Sequence, residues 1–308
     1  MFKFLQDVII KLLQGVFEQL RRIKKNDEER HETKNLSTYV QIDTSKKIYN
    51  VIETSKVSTP TEETKQIVTK RRSIVPNKKI YNRKVYMLID QSGSMVRRDP
   101  LFNNERRWNA IAEVIEGHVY NILSQQDMND DKKICDEITV TFFSPNRPPT
   151  VSRPIQDDAQ VSALFQENQP DSNTFLTPAF QQIVGQWFGT RMPNEGGFII
   201  IYTDGEIDDR DTFVNSVEET CRKLNNQDEL KVVIIGFGSD VNRDPKFYLN
   251  LDANMKSFTD RNSKSCNIVV FDLLNKMDGI IELLDRQLVN PDAGLPPWGK
   301  EFCPDLYD

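Results

Sequence analysis

Three stretches of the chain are almost unbroken runs of apolar residues: KVYMLID from Lys84 to Asp90, GFIIIYTD from Gly197 to Asp204, and KVVIIGFG from Lys231 to Gly238. Runs of this length suit parallel strands covered on both faces. EITVTFF, from Glu137 to Phe143, alternates more and reads as a strand nearer an edge. VSRPI contains Pro154, which lacks a ladder donor, so it is an edge strand at most. NIVVFDL, around Ile268, gives a last strand. Between these runs the apolar period lengthens. Trp108, Ile111, Ala112, Ile115, Val119 and Ile122 share one helical face, as do Phe213, Val214, Val217 and Leu224. Met277, Ile280, Ile281, Leu284 and Leu288 form a third such face. Strands alternating with helices predict an α/β domain: a Rossmann-like, open, mostly parallel sheet with helices on both faces.

The two ends follow other patterns. Phe2, Leu5, Ile9, Leu12, Leu13, Val16, Leu20 and Ile23 recur at helical spacing, which predicts an amphipathic helix over residues 1–25. Lys3, Asp7, Lys11 and Glu18 interrupt it too often for a bilayer span, and it lacks the small-residue cleavage site of a signal peptide. Three readings stand open for it: packing on this protein, docking on a partner, or lying on a membrane surface with Arg21, Arg22, Lys24 and Lys25 at the headgroups. Residues 26–78 are polar and read as a linker, ordered only in part. KKIYN occurs at Lys46 and again at Lys78, too short a match for a repeat architecture. The α/β domain then occupies 79–290. The last segment, 291–308, has four prolines and three aromatics and is expected to be extended, lying on the domain or docking elsewhere.

Charge sharpens this division. The formal net charge of the 308 residues is -6. The first 80 residues carry 17 lysines and arginines against 10 acids, about +7, which leaves about -13 for the remainder. A basic arm on an acidic body does not suit a general nucleic-acid binder. The four cysteines, Cys135, Cys221, Cys266 and Cys303, are scattered and form no Cys-x-x-Cys pair, so they read as free thiols rather than a zinc site or a disulfide framework. His31 falls in a charged stretch, and His118 at the edge of a helical apolar face, where packing is its expected role. Triad-type chemistry built on histidine has little to draw on.

Candidate chemistry gathers at two strand ends. In an open α/β sheet, ligands sit outside the carboxyl ends of the strands, where strand order reverses. Asp90 ends the first strong strand and Asp204 the second. If those strands are neighbours, the two carboxylates meet and repel, and a cation resolves the repulsion. Ser92 and Ser94 follow Asp90 at alternate positions, so one loop can turn both hydroxyls to one point. An all-oxygen set with few charges favours Mg2+ or Mn2+ over zinc or copper.

At these residues the chain resembles von Willebrand factor type A (VWA) domains. DQSGS fits the Asp-x-Ser-x-Ser pattern of the family, YTDGE its second aspartate segment, and SNTFLTPAF its threonine loop, with Thr174 five residues before Ala179 at the start of a helix. The resemblance covers roughly Lys79 to Asn290 and implies a metal-ion-dependent adhesion site. In it Ser92 and Ser94 would bind the metal directly, Thr174 directly or through water, and Asp90 and Asp204 mostly through water and the serines. An acidic residue of a partner protein would fill the open position. One departure is visible: Ser172 and Asn173 precede the threonine where a glycine is common.

Other motifs carry less. GFGSD has two glycines of a dinucleotide fingerprint but Val241 in place of the third, and reads as a strand-end turn. Asp208, Asp209 and Asp211 do not have EF-hand spacing and read as a capped, solvated helix start. Arg97 and Arg98, just past the serine loop, are either solvated or aimed at an acidic partner.

The expected function is thus a metal-dependent interaction module, not an enzyme, acting as adaptor or scaffold. A membrane-surface scaffold working through residues 1–25 is one alternative. A Mg-dependent phosphoryl hydrolase is the other, disfavoured because Ser92 stands where a second acid would protonate the leaving group. The expected location is cytoplasmic, with peripheral membrane association as its variant. Intracellular bacterial members of the family, in stress and defence systems, imply AAA+ ATPases, kinases or phosphatases as partners.

Overall fold

The computed structural model describes residues 78–308 apart from 128–130, 145–151, 172, 206, 255–256, 290–294 and 308. The expected N-terminal helix and nearly all of the polar linker lie outside the described residues.

The apolar runs become strands almost residue for residue. They are β1 (Arg83–Asp90), β2 (Ile138–Phe143), β3 (Arg153–Ile155), β4 (Gly196–Thr203), β5 (Leu230–Gly236) and β6 (Val269–Leu273). The sheet order is β3-β2-β1-β4-β5-β6. All pairings are parallel except β2 with β3. The antiparallel β3 is the edge strand that Pro154 dictates, with Pro154 opposite Thr139. β2 is second from the edge and buried along its whole length, so its alternation did not mean exposure.

Among the described residues seven helices flank the sheet: α1 (Arg107–Ser124), α2 (Ala159–Glu167), α3 (Thr177–Thr190), α4 (Arg210–Cys221), α5 (Gly238–Arg243) and α6 (Lys246–Asn254) lie in the connections between strands, and α7 (Ile280–Val289) follows the last strand. The pattern had not signalled α2, α5 and α6, which are short, nor α3, whose start came only from the threonine-loop resemblance. Two predicted faces overran their helices: Leu224 lies past α4, and Met277 precedes α7.

The period-2 pleat splits the sheet's side chains between two cores. Tyr86, Leu88, Ile199, Ile201, Val232, Ile234 and Phe271 point to one face, under Phe180, Ile183 and Trp187 of α3 and Phe213 and Val217 of α4. On the other face α1 packs against α2 and α7. There Trp108 packs at a tilt against Phe165 and Phe142, with ring centroids 4.5 Å and 5.5 Å away. His118 is in this core as expected, its Nδ1 2.8 Å from the Tyr202 hydroxyl. All four cysteines are free and buried.

The C-terminal segment is not extended. Pro297–Glu301 and Pro304–Leu306 form 3₁₀ turns. Leu295, Trp298, Phe302 and Leu306 pack against the core. The Trp298 indole donates to Asp272 Oδ1 at 2.9 Å, and the Tyr307 hydroxyl to the Pro296 carbonyl at 2.6 Å. These anchors explain the difference: an amphipathic aromatic gains more by burying its ring with its N–H paired than by staying in water. On β6, the outer strand at this side, the amide of Phe271 donates to Asp252 Oδ2 and that of Leu273 to Asp272 Oδ1. Among the described residues no helix is long and apolar enough to cross a membrane.

Candidate metal-binding site

Strand order reverses between β1 and β4, which leave the centre of the sheet in opposite directions. The crevice at their carboxyl ends is therefore where a ligand would sit. The register pairs Ile89 with Tyr202, so Asp90 stands level with Thr203. Both are buried, and the Thr203 hydroxyl donates to Asp90 Oδ2 at 2.9 Å. The other Asp90 oxygen accepts the Ser92 amide at 2.8 Å, which turns the chain sharply as it leaves the strand.

That turn presents the serines. Gly93–Val96 is a single 3₁₀ turn, and it brings Ser92 Oγ to 2.8 Å from Ser94 Oγ. Ser94 Oγ in turn donates to Asp204 Oδ1 at 2.8 Å. Ser92, Ser94 and Asp204 thus form one continuous chain of oxygens across the crevice, with Asp90 behind it. Burial first, and then the neighbouring Asp204 charge, push Asp90 up to about 7 against the pull of its Ser92 and Thr203 donors. Burial also raises Asp204, with Arg107 and Ser94 opposing.

The Thr174 segment is tied to both strand ends. At its start the Asp171 amide donates to the Gln91 carbonyl at 2.7 Å, just past β1. Beyond β4, Asp208 Oδ2 accepts the Thr174 amide at 2.9 Å. Asp209 accepts the Leu176 amide at 3.0 Å and the Thr177 amide at 2.8 Å. Asp208 and Asp209 are therefore not a merely solvated helix start. Asp209 makes no side-chain cap on its own helix α4 and instead caps α3, whose first residue is Thr177. The Thr174 hydroxyl makes no hydrogen bond to the serine chain among the described residues, so the threonine joins the crevice through its backbone tethers.

One participant escaped the sequence reading. Arg107, the first residue of α1, is only 2% exposed and donates to Asp204 Oδ2 at 2.9 Å. Its Nε reaches Asp99 Oδ2 at 2.7 Å, and its Nη2 reaches Ser239 Oγ at 3.1 Å and Asp240 Oδ2 at 2.9 Å. Burial alone would lower Arg107, but these carboxylates, Asp204 foremost, hold it above its ordinary value. For Asp99 too burial is the largest influence, yet the amides of Ser239 and Leu101 and the guanidinium bring it below the usual carboxylate range. A signal was available: helical phase run back one turn from Ile111 puts position 107 on the buried face.

Neither of the two exposed arginines bonds directly to Ser92, Asp204 or Asp90 through its side chain. Arg97 reaches Asp240 Oδ2 at 3.3 Å, and Arg98 donates to the Asn104 carbonyl at 2.9 Å. GFGSD is a strand-end turn that runs directly into α5, with Gly238 at φ +85°. Among the described residues no group of three or more His, Cys, Asp or Glu side chains is gathered to hold a metal.

The sheet order, the crevice and the three motifs define an α/β domain of the VWA class. The family model for the von Willebrand factor type A domain matches residues 84–268, and the chain belongs to this family. Domains of this family commonly serve as metal-dependent protein-interaction modules. No curated protein matches the sequence. Among solved structures, the chain is similar to the SpRpn10 VWA domain, with 17% identity over 67% of this chain and 94% of that one, at a TM-score of 0.42. It is similar to the manganese-loaded TRAP protein of Plasmodium vivax, with 16% identity over 63% and 70% of the two chains, at 0.41. A third is the ArnB paralog VWA2 from Sulfolobus acidocaldarius, with 15% identity over 68% and 44%, at 0.36.

Proposed function

We propose that this chain is a metal-dependent protein-interaction module with a Mg2+ or Mn2+ at the β1–β4 crevice, which binds an Asp or Glu of a partner protein. The observation that carries this reading is the oxygen chain Ser92, Ser94, Asp204 at 2.8 Å steps, backed by buried Asp90. The residues fit such an ion. Neighbouring ligands of an octahedron with bonds of about 2.0–2.1 Å lie about 2.9 Å apart, close to the spacing of the two serine hydroxyls. The set is all oxygen, and burial leaves Asp90 in want of a compensating cation.

In this reading Ser92 and Ser94 are direct ligands. Thr174 binds directly or through water. Asp90 and Asp204 orient the serines from behind. When bound, the ion supplies an electrophilic position for an external carboxylate. Arg97 and Arg98, exposed just past the serine turn, attract the acidic segment as it approaches. The domain would span 79–290 with the C-terminal turns packed on it, and residues 1–25 would be a basic docking or membrane-surface helix on the 26–78 linker. The whole would act as an adaptor, its partner an AAA+ ATPase, a kinase or a phosphatase as the family resemblance implies.

The test is an affinity pull-down from native extract in Mg2+ and in EDTA, with Asp204→Ala alongside, together with Mn2+ titration of both proteins. A partner retained only by the wild type in Mg2+ is the expected outcome. Equal retention in all three lanes would refute the adhesion mechanism.

A further inference from the structure

We propose that Arg107 sets the metal affinity of this site, as a resident cation that neutralises Asp204 and opposes entry of a second one. The inference rests on the metal reading above. Arg107 uses every face of its guanidinium: Nη1 on Asp204, Nε on Asp99, and Nη2 on Ser239 and Asp240. A guanidinium does not lose its proton in a protein, so this positive charge is permanent. Its Nη1 lies 2.9 Å from Asp204, so part of this charge offsets the repulsion between Asp204 and Asp90, while Asp99 and Asp240 take up the rest. It also fixes the geometry of Asp204. Oδ2 is held by Arg107 and Oδ1 by Ser94, so the carboxylate stays behind the hydroxyls instead of swinging onto the ion. An ion ligated by neutral hydroxyls keeps more attraction for an external carboxylate.

Two further observations show that the fold is built around this residue. Arg107 opens α1, where the positive end of the helix dipole disfavours a cation, so the carboxylates and not helix preference hold it there. Gly238 sits at φ +85°, and a Cβ on it would come within 2.9 Å of Arg107 Nε and 3.1 Å of Asp99 Oδ2. Backbone from the β5–α5 junction thus closes directly onto the guanidinium. Asp240, partly exposed, withdraws some of the guanidinium charge from the far side and shares it with Arg97 and Arg243.

Opposite effects follow from the two ends of the network. Arg107→Gln removes the resident charge and frees Asp204, so Mn2+ affinity should rise about tenfold. Asp240→Asn leaves more of the Arg107 charge facing the site, so affinity should fall about threefold or more. Arg107→Gln also strands Asp99, so an Arg107→Gln/Asp99→Asn double variant serves where the single one does not fold. The measurement is Mn2+ titration of the full chain, read by the paramagnetic resonance of free Mn2+, with circular dichroism as the fold check. Wild type and Asp204→Asn are run beside the variants. Tighter binding without Arg107 together with weaker binding in Asp240→Asn supports the proposal. Weaker binding in both, or no change in either, overturns it, because a purely structural network moves both variants in one direction. If wild type binds no Mn2+, or Asp204→Asn binds as well as wild type, the metal reading itself falls and this inference with it.

Discussion

Replacing Asp209 by alanine should loosen the threonine loop without touching the serine turn. The Asp209 carboxylate accepts the amides of Leu176 and Thr177, two donors at the start of α3 that have no partner within that helix. Loss of a capping side chain costs about 1–2 kcal/mol, and loss of a negative charge at a helix N-terminus about 0.5 kcal/mol more. The sum is about 2 kcal/mol, and at about 1.4 kcal/mol per factor of ten it predicts roughly 30-fold faster local opening. Native-state hydrogen exchange reads this directly at the Leu176 and Thr177 amides. The melting temperature should fall by about 5 °C, given the usual scaling for a unit of this size. Asp208→Ala is the matched comparison: it should speed exchange of the Thr174 amide and leave Thr177 nearly unchanged. Exchange in Asp209→Ala within threefold of wild type at both amides would refute the reasoning, since the cap would then not be what holds the loop.

Lys231 is buried with its ammonium on the Asn267 carbonyl at 2.8 Å, and burial brings it from an ordinary 10.5 down to about 8. The lowered value means that the folded state releases this proton before the unfolded state does, so wild-type stability carries the full penalty below pH 8 and recovers it as pH rises to about 10.5. The penalty is about 3 kcal/mol, so Lys231→Met should stabilise by about 2 kcal/mol at pH 7 after loss of one hydrogen bond. Urea melts of both proteins at pH 7 and pH 10 check this, and an advantage that does not shrink at the higher pH would contradict it. Trp298→Ala should destabilise by about 2–3 kcal/mol, because the half-buried indole loses Phe271, Phe302 and its bond to Asp272. A denaturant midpoint equal to wild type would mean that the C-terminal turns do not contribute to the domain.

The legible parts of the fold are those with a local signature. β1, β4 and β5 are buried on both faces, so their polar residues fall near the strand ends, and a long apolar run marks each one. The serine turn and the strand-end aspartates were legible because their spacing is short and their place at strand ends is fixed by topology. The α2, α5 and α6 helices were not, since helices of six to nine residues contain too few apolar residues to show a period. Arg107 was hidden for another reason. It stands in a run of charged residues, Glu105, Arg106 and Arg107, and its partner Asp204 is 97 positions away. A pairing of that range leaves no mark on either neighbourhood. The same holds for Asp209, whose acceptor role belongs to a helix more than thirty residues upstream.

The two rims of the sheet close off a route to self-association. On one side β3 is three residues long and has Pro154 within it. On the other, the Phe271 and Leu273 amides of β6 are already held by Asp252 and Asp272. An unpaired strand rim is a template for fibril growth and for recruitment of foreign strands. Here that template is blunted at one rim by proline and blocked at the other by carboxylates. The buried apolar runs that make this sheet would be aggregation hazards if they lay open, yet among the described residues no long bare ladder fronts them.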